Sequence, residues 1–217
     1  MNIIAKKILL TVAILLPSAV ALSPPLLAQG GGSPNQNLRS FFETGRPRSE
    51  DTLRFQRPPS GVPPVRTDSG NWQFIVFSQG NVSFWMPPGI LSQDEVLIAT
   101  SAGDLNFRTL TATDGDYRYV AAHARGLTPQ QLADRQSLFN ALRARVAPQE
   151  TFSLLSERPV TLGKETGTEF TFASDQESIV FRAYLVGDQV YVMGVGQPRA
   201  QPRERVARTF LNALQWL

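Results

Sequence analysis

The clearest pattern of hydrophobic and polar positions lies in residues 178–196, where two apolar runs flank the pair Gly187-Asp188. A two-residue loop with glycine first is typical of a type II′ turn in a β-hairpin. The turn sets the register, in which Tyr184 faces Tyr191. One face would then be apolar and the other mixed, so we expect neighbouring structure to cover both faces. The apolar face comprises Ile179, Phe181, Ala183, Leu185, Val190 and Val192, and the mixed face Val180, Arg182, Tyr184, Tyr191, Met193 and Val195.

Short β-prone runs separated by turn residues predict the remaining strands. They lie at residues 73–78, 82–86, 95–100, 105–112, 116–123, 151–158 and 164–173. Their close spacing indicates antiparallel strands joined by short turns rather than crossover connections. In the last run Phe170 and Phe172 alternate with Glu169 and Thr171, which places the two phenylalanines on one face of the sheet.

Two segments carry the signals of amphipathic helices. Thr128 as N-cap, Pro129 at the first position and Gln131 at the third form a capping box, and Pro148 ends that helix. A second helix is predicted to start at Pro202. Its apolar stripe comprises Val206, Phe210, Ala213, Leu214 and Leu217. The sequence therefore predicts one α+β domain, with an antiparallel sheet of about seven or eight strands flanked by two helices.

The N-terminal residues 1–21 have the organisation of a secretory signal peptide. Lys6 and Lys7 precede the apolar residues 8–16, and small residues at 19 and 21 suit cleavage after Ala21, with a second site after Ala28. The apolar run is shorter than the roughly 20 residues that a spanning helix needs. We therefore expect no transmembrane span in the mature chain. The alternative is an uncleaved anchor, which would make this a tethered surface protein.

Residues 22–69 are rich in proline, glycine, serine and arginine, which predicts a disordered linker before a domain at residues 70–217. A single helical turn at residues 38–43 is the one exception that the pattern allows. The linker is either a plain spacer or a peptide ligand for a partner.

The chain has no cysteine, which excludes disulfides, thiolate metal sites and a lipid-attached cysteine. Export without disulfides suits a periplasm, a thylakoid lumen or the extracellular space. The net charge of +3 comes from the N-terminal third, because residues 70–217 carry 13 basic side chains against 14 acidic ones. The predicted domain thus lacks the basic surface that nucleic-acid binding requires.

Several segments resemble the exported PsbP/Mog1/DcrB-like α+β family. They are VSFWMPPG at residues 82–89, GTEFTF at 167–172, FRAYLVGDQVYVMGVG at 181–196 and RTFLNALQWL at 208–217. The resemblance implies an antiparallel sheet between helices and a non-enzymatic accessory or binding role, which some relatives perform as extrinsic photosystem II proteins. No functional motif of the family matches a position here, so no residue role is carried over.

Catalytic candidates are few. His123 is the only histidine, which argues against an imidazole-rich metal site, and its setting near a predicted strand end has no nucleophile motif. Asp114-Gly115-Asp116 reads either as two calcium ligands or, as we favour, a hairpin turn. Glu165 and Glu169 on one strand would lie about 13 Å apart, too far for a glycosidase pair. We expect no cofactor and no metal.

The most suggestive constellation is Arg182 with Tyr184 and Tyr191, because an arginine beside aromatic walls can bind an anion in a ligand cleft. The alternative is an arginine paired with a sheet carboxylate beneath packed tyrosines. The sequence thus predicts an exported, non-enzymatic accessory or binding module with a protein or envelope partner. The competing hypothesis is a secreted hydrolase that uses His123 or carboxylates brought together by folding. Oligomeric state is left open.

Overall fold

The computed structural model describes residues 70–217 and two short strand segments at residues 54–55 and 66–67. The predicted signal peptide, the helical turn at residues 38–43 and most of the linker lie outside the described residues, and they stay predictions. Within the predicted linker the structure does describe two strands, β1 (Arg54–Phe55) and β2 (Arg66–Thr67).

The largest element is a seven-stranded antiparallel sheet with the strand order β6-β7-β8-β12-β11-β10-β9. Its strands are β6 (Ile90–Thr100), β7 (Gly103–Asp114), β8 (Tyr117–Arg125), β9 (Ser153–Leu162), β10 (Glu165–Ala173), β11 (Glu177–Val186) and β12 (Gln189–Pro198). Each run of apolar and β-branched residues ends in a short turn, so neighbouring strands in the chain pair with one another. The exception is β8, which pairs with β12 and joins the two halves of the sheet.

A smaller antiparallel sheet has the order β1-β4-β5-β13, and β2 pairs with β3. Their remaining strands are β3 (Gly70–Asn71), β4 (Gln73–Phe77), β5 (Val82–Met86) and β13 (Gln215–Trp216). A short 3-10 helix at Ser78–Gly80 joins β4 to β5, and Asn81 after it adopts a left-handed conformation with φ of 51°. The predicted first hairpin is therefore present, and it belongs to a separate sheet.

Three helices complete the described fold: α1 (Pro129–Ala133), α2 (Arg135–Val146) and α3 (Glu204–Leu211). The predicted capping box at Thr128 is confirmed, because the Thr128 hydroxyl accepts from the Gln131 amide and the Gln131 side chain accepts from the Thr128 amide. The single helix expected up to Pro148 is divided at Asp134. Its side chain accepts from the Ser137 amide and starts a new helix.

The large sheet is apolar on both faces and has a core on each side. The α1–α2 face packs Leu138, Phe139, Leu142 and Val146 against sheet residues including Phe107, Phe170, Phe181 and Val192. The opposite face packs α3 and the small sheet against Tyr119, Tyr184, Tyr191 and Met193. The structure thus confirms the predicted α+β class and the expectation that something covers the tyrosine side of the hairpin.

The β11–β12 hairpin has the predicted register throughout, with Tyr184 opposite Tyr191 and Val186 opposite Gln189. Gly187 has a positive φ of 58°, and Asp188 does not have a positive φ. This agrees with a type II′ turn, which requires a positive φ at its first central residue only. Because glycine reaches this conformation without steric cost, the turn fixes the pairing of all the residues that follow.

The C-terminal residues differ from the prediction. The helix ends at Leu211, and residues 215–216 pair with β5 as the last strand of the small sheet. Ala213 and Leu214 are buried as expected, but Leu217 is exposed. Helical periodicity identified the buried residues, yet pairing with the free edge of β5 prevailed over a longer helix.

Candidate functional site

Arg182, the central residue of the predicted site, lies on β11 with its side chain only 11% exposed. Its Nε donates to Glu169 Oε2 on β10 at 2.7 Å, and the same guanidinium donates to the Leu211 carbonyl at 3.0 Å and to Asn212 Oδ1 at 2.6 Å. Three acceptors from the sheet and from the end of α3 therefore surround this arginine.

Glu169 binds two arginines at once. Arg158 on β9 donates to its Oε1 from Nε at 2.8 Å, while Arg182 binds Oε2. Burial alone would raise the pKa of the Glu169 carboxyl, but the hydrogen bonds and charges of the two guanidinium groups outweigh it and lower the pKa below its usual range. The carboxylate is therefore ionised and held in a network of three charged side chains.

Tyr184 and Tyr191 are cross-strand neighbours, and both are buried. Tyr184 lies opposite Gly167 on β10, where an added Cβ would come within 2.5 Å of the Tyr184 ring. The Tyr191 hydroxyl donates to the Gly80 carbonyl at 2.7 Å, and Trp216 contacts its ring at 4.9 Å between centroids. Burial raises the pKa of both phenols.

The structure thus brings Arg182 and the two tyrosines together on one face, as the register argument requires. The arrangement has the features of the alternative reading, in which the arginine pairs with a sheet carboxylate and the tyrosines are packed. Ligand binding by these three residues stays a prediction.

His123 lies inside β8 rather than at a strand end, because that strand continues to Arg125. Its Nε2 is 2.8 Å from Gln189 Oε1, and its ring contacts Tyr191 and Phe77. Burial lowers the pKa of the imidazole, partly opposed by the Gln189 hydrogen bond. The residue is therefore a neutral imidazole at pH 7, held by an amide.

The other chemical candidates have structural roles. Gly115, with φ of 58°, lies in the turn between β7 and β8, so the Asp114-Gly115-Asp116 run is the favoured hairpin turn. Asp114 forms an ion pair with Arg203. Within the described part of the chain no group of three or more metal-binding side chains occurs.

A surface that the sequence reasoning missed lies along β9, the last strand of the large sheet. Most of its residues are exposed, including the adjacent leucines Leu154 and Leu155, with 45% and 63% of their surface exposed. Opposite β10 the register shifts between Thr171 and Phe172, which leaves Leu155 as the extra residue of a β-bulge. The signal in the sequence was two adjacent leucines in a segment where alternation was expected.

A groove of about 600 Å³ borders the first half of β9. Its apolar lining residues are Phe152, Leu154 and Phe172 from the region of β9 and β10, and Ala144 and Ala147 from the C-terminal end of α2. Polar side chains also line the groove, among them Asn140, Arg143, Gln149 and Glu150. The arrangement can accept one apolar side chain beside an open strand edge.

None of the helices described here is long and apolar enough to cross a membrane. No protein-family model matches the chain, and no curated protein matches it. Among solved structures the chain is similar to the solution structure of cyanobacterial PsbP (CyanoP) from Synechocystis sp. PCC 6803. The two share 9% sequence identity over 74% of this chain and 100% of that chain, with a TM-score of 0.49. This agrees with the weak PsbP-like resemblance in fold and brings no residue role to this chain.

Proposed function

We propose that the domain is a non-enzymatic binding module that holds an extended segment of a partner protein along β9. The observation that supports this proposal is the position of β9 as a ten-residue edge strand, mostly exposed, at one end of the large sheet. An extended peptide can add a further strand to such an edge, with backbone hydrogen bonds supplying affinity and pockets supplying specificity.

The two halves of β9 differ in their suitability for such pairing. The first half, residues 153–156, is uncharged and presents Leu154 and Leu155. The second half contains Glu157, Arg158 and Pro159, residue types that edge strands use against unwanted pairing, whereas the first half has only the β-bulge at Leu155. We therefore assign the docking position to residues 153–156.

The groove lies beside this same half of the strand, because Leu154 belongs to both. A partner strand paired with β9 would point alternate side chains toward the groove and away from it. The partner segment would thus be extended, with one aliphatic or aromatic residue for the groove. The groove lining includes both Arg143, which is paired with Glu157, and Glu150, so a strongly charged segment has no preferred sign there.

An accessory role in an exported compartment follows if residues 1–21 act as the predicted signal peptide. The partner would then be another exported or envelope protein of a periplasm, a thylakoid lumen or the extracellular space.

The test is selection of a random peptide library on the purified domain, followed by affinity measurement with the selected synthetic peptides. We expect apolar peptides that bind less tightly to Leu155→Lys by about tenfold or more, the effect of losing an apolar anchor worth about 1.4 kcal/mol. The matched control is Leu97→Lys, because Leu97 lies on the opposite edge strand β6 with 62% exposure against 63% for Leu155.

Selected peptides that bind both lysine variants as tightly as the parent would refute docking at β9. Light scattering on the parent protein tests whether β9 pairs with another copy of this chain. A parent dimer that becomes a monomer in Leu155→Lys would show that it does. A variant that lacks residues 22–53 tests whether the linker of this chain fills the groove. If peptides bind only to this variant, the linker is the segment that normally occupies the groove.

A further inference from the structure

A polar cleft of about 250 Å³ lies on the face of the large sheet that carries the small sheet, beside the 3-10 helix. Its lining residues are Gln79, Glu95, Asn106, Arg108, His123 and Arg125. It is separate from the β9 groove, with which it shares no lining residue.

Strand register explains why these side chains meet. Arg108 on β7 pairs with Glu95 on β6 and with His123 on β8. Arg125 follows His123 by two residues along β8, so it projects from the same face. Two arginines from neighbouring strands therefore project from the same sheet face as one buried imidazole.

The charges in the cleft are unequal. No described residue forms an ion pair or hydrogen bond with the Arg125 side chain. Arg108 Nε is 3.6 Å from Glu95 Oε1, longer than a hydrogen bond, and the other Glu95 oxygen accepts from Asn106 at 3.3 Å. Two guanidinium groups thus face a single carboxylate that is itself more than half exposed.

His123 forms a rigid floor for this cleft. Gln189 Oε1 is 2.8 Å from its Nε2 and also lies 2.9 Å from the Tyr191 hydroxyl oxygen. Because burial and the two arginines favour the neutral imidazole, the floor adds no charge of its own. Asp188 in the β11–β12 turn acts in the opposite direction, and less strongly.

We propose that this cleft binds a small oxyanion, a carboxylate or phosphate group, between Arg108 and Arg125. The planar guanidinium group presents several N–H donors in a fork that matches the oxygens of either anion. Glu95 is then the competing internal anion that a bound ligand displaces from Arg108. The site is independent of partner binding at β9.

Proton NMR can follow anion binding through His123. It is the only histidine in the chain, so the spectrum contains a single imidazole Cε1 proton signal. Inorganic phosphate and acetate are titrated separately into the full domain at constant ionic strength. We expect a saturable shift of the His123 signal and a higher imidazole pKa in the bound state, since an anion offsets the two arginines.

Three variants decide the assignment. Arg125→Gln should weaken binding by roughly tenfold or more, as expected for one lost charged hydrogen bond. Glu95→Gln should strengthen it several-fold, because the competing carboxylate is removed. Arg205→Gln, at an exposed position on α3, is the matched control and should bind as the parent does.

A shift that does not saturate with either probe, or equal affinity in parent and Arg125→Gln, would overturn the proposal. Thermal melts of the three variants verify that each is folded. Saturable binding that follows the expected order of the variants supports it, and the ratio of the phosphate and acetate affinities identifies the preferred anion.

Discussion

At the scale of single residues, Glu177 carries an unusual charge state. It lies at the start of β11, 2% exposed, with no hydrogen-bond partner for either carboxylate oxygen in the described structure. Burial raises the pKa of this carboxyl to about 7, while Arg118 opposes the shift and Asp116 adds to it. The folded protein therefore holds a neutral carboxylic acid at mildly acidic pH, whereas the unfolded chain ionises near its ordinary value.

Because the folded pKa is raised, the protein should lose stability as the pH rises from about 4.5 to about 7, and then level off. We expect Glu177→Gln, an isosteric neutral side chain, to raise the free energy of unfolding above pH 7 by roughly 2–3 kcal/mol. At pH 4 the two proteins should be nearly equal. Urea denaturation at several pH values measures this, and a constant difference across the range would contradict it.

At the scale of elements, Arg182 connects the sheet to the end of α3. It donates to the Leu211 carbonyl, where α3 ends, and to Glu169 on β10. A cation at a helix C-terminus also interacts favourably with the helix dipole. The start of this eight-residue helix is held separately, because the Arg203 amide donates to Gln197 and the Arg203 side chain pairs with Asp114. The end of the helix depends on Arg182 and on the apolar residues beneath it.

We predict that Arg182→Met lowers the free energy of unfolding by about 2 kcal/mol or more, because a buried carboxylate loses a partner. Arg158→Met is the matched control on the same carboxylate. The Arg158 side chain is 61% exposed, so its loss should cost about 1 kcal/mol or less. Hydrogen exchange should show faster opening of α3 in the first variant only, and equal losses in both would refute this assignment.

At the scale of the whole molecule, the C-terminal residues connect three parts of the fold. Trp216 on β13 pairs with Val82 on β5, contacts the Tyr191 ring on the large sheet, and lies 3.4 Å from the Leu162 carbonyl at the end of β9 through its Nε1. Short, partly buried segments of this kind add stability by joining elements that otherwise contact one another through few residues.

We expect Trp216→Ala to lower the free energy of unfolding by about 2 kcal/mol, as the loss of a half-buried aromatic contact predicts. Leu217→Ser should have little effect, because that side chain is exposed and its backbone bonds to Asn81 remain. Chemical denaturation followed by tryptophan fluorescence and by circular dichroism measures both. Similar losses in the two variants would contradict the role of Trp216.

Local signals predicted local structure well. The Gly187 turn determined the whole β11–β12 register, and the capping box at Thr128 determined the start of α1. The break at Asp134 and the end of α3 at Leu211 were not predicted, because apolar periodicity continues through both positions. Apolar periodicity therefore identifies the buried residues. Contacts with distant parts of the chain determine where the helix that contains them begins and ends.

The sites show the same division. Arg182, Tyr184 and Tyr191 could be placed on one covered face from the sequence, but that α3 and the small sheet are the elements that cover them could not. The cleft beside His123 was not found, because Arg108 and Arg125 come from strands whose register depends on β6, β7 and β8 together. Likewise, the exposed leucines of β9 acquire meaning only from the position of that strand at the sheet edge.

The sequence by itself therefore determined the α+β class, the hairpin register, the helix start at Thr128 and the two buried faces of the large sheet. These follow from turn chemistry and side-chain alternation, which act between residues close in the chain. Only the tertiary structure decided the strand order, the edge at β9, the arginine pair beside His123 and the isolation of Glu177. Each of these depends on contacts between distant residues, where packing and desolvation act on groups that the chain pattern does not bring together.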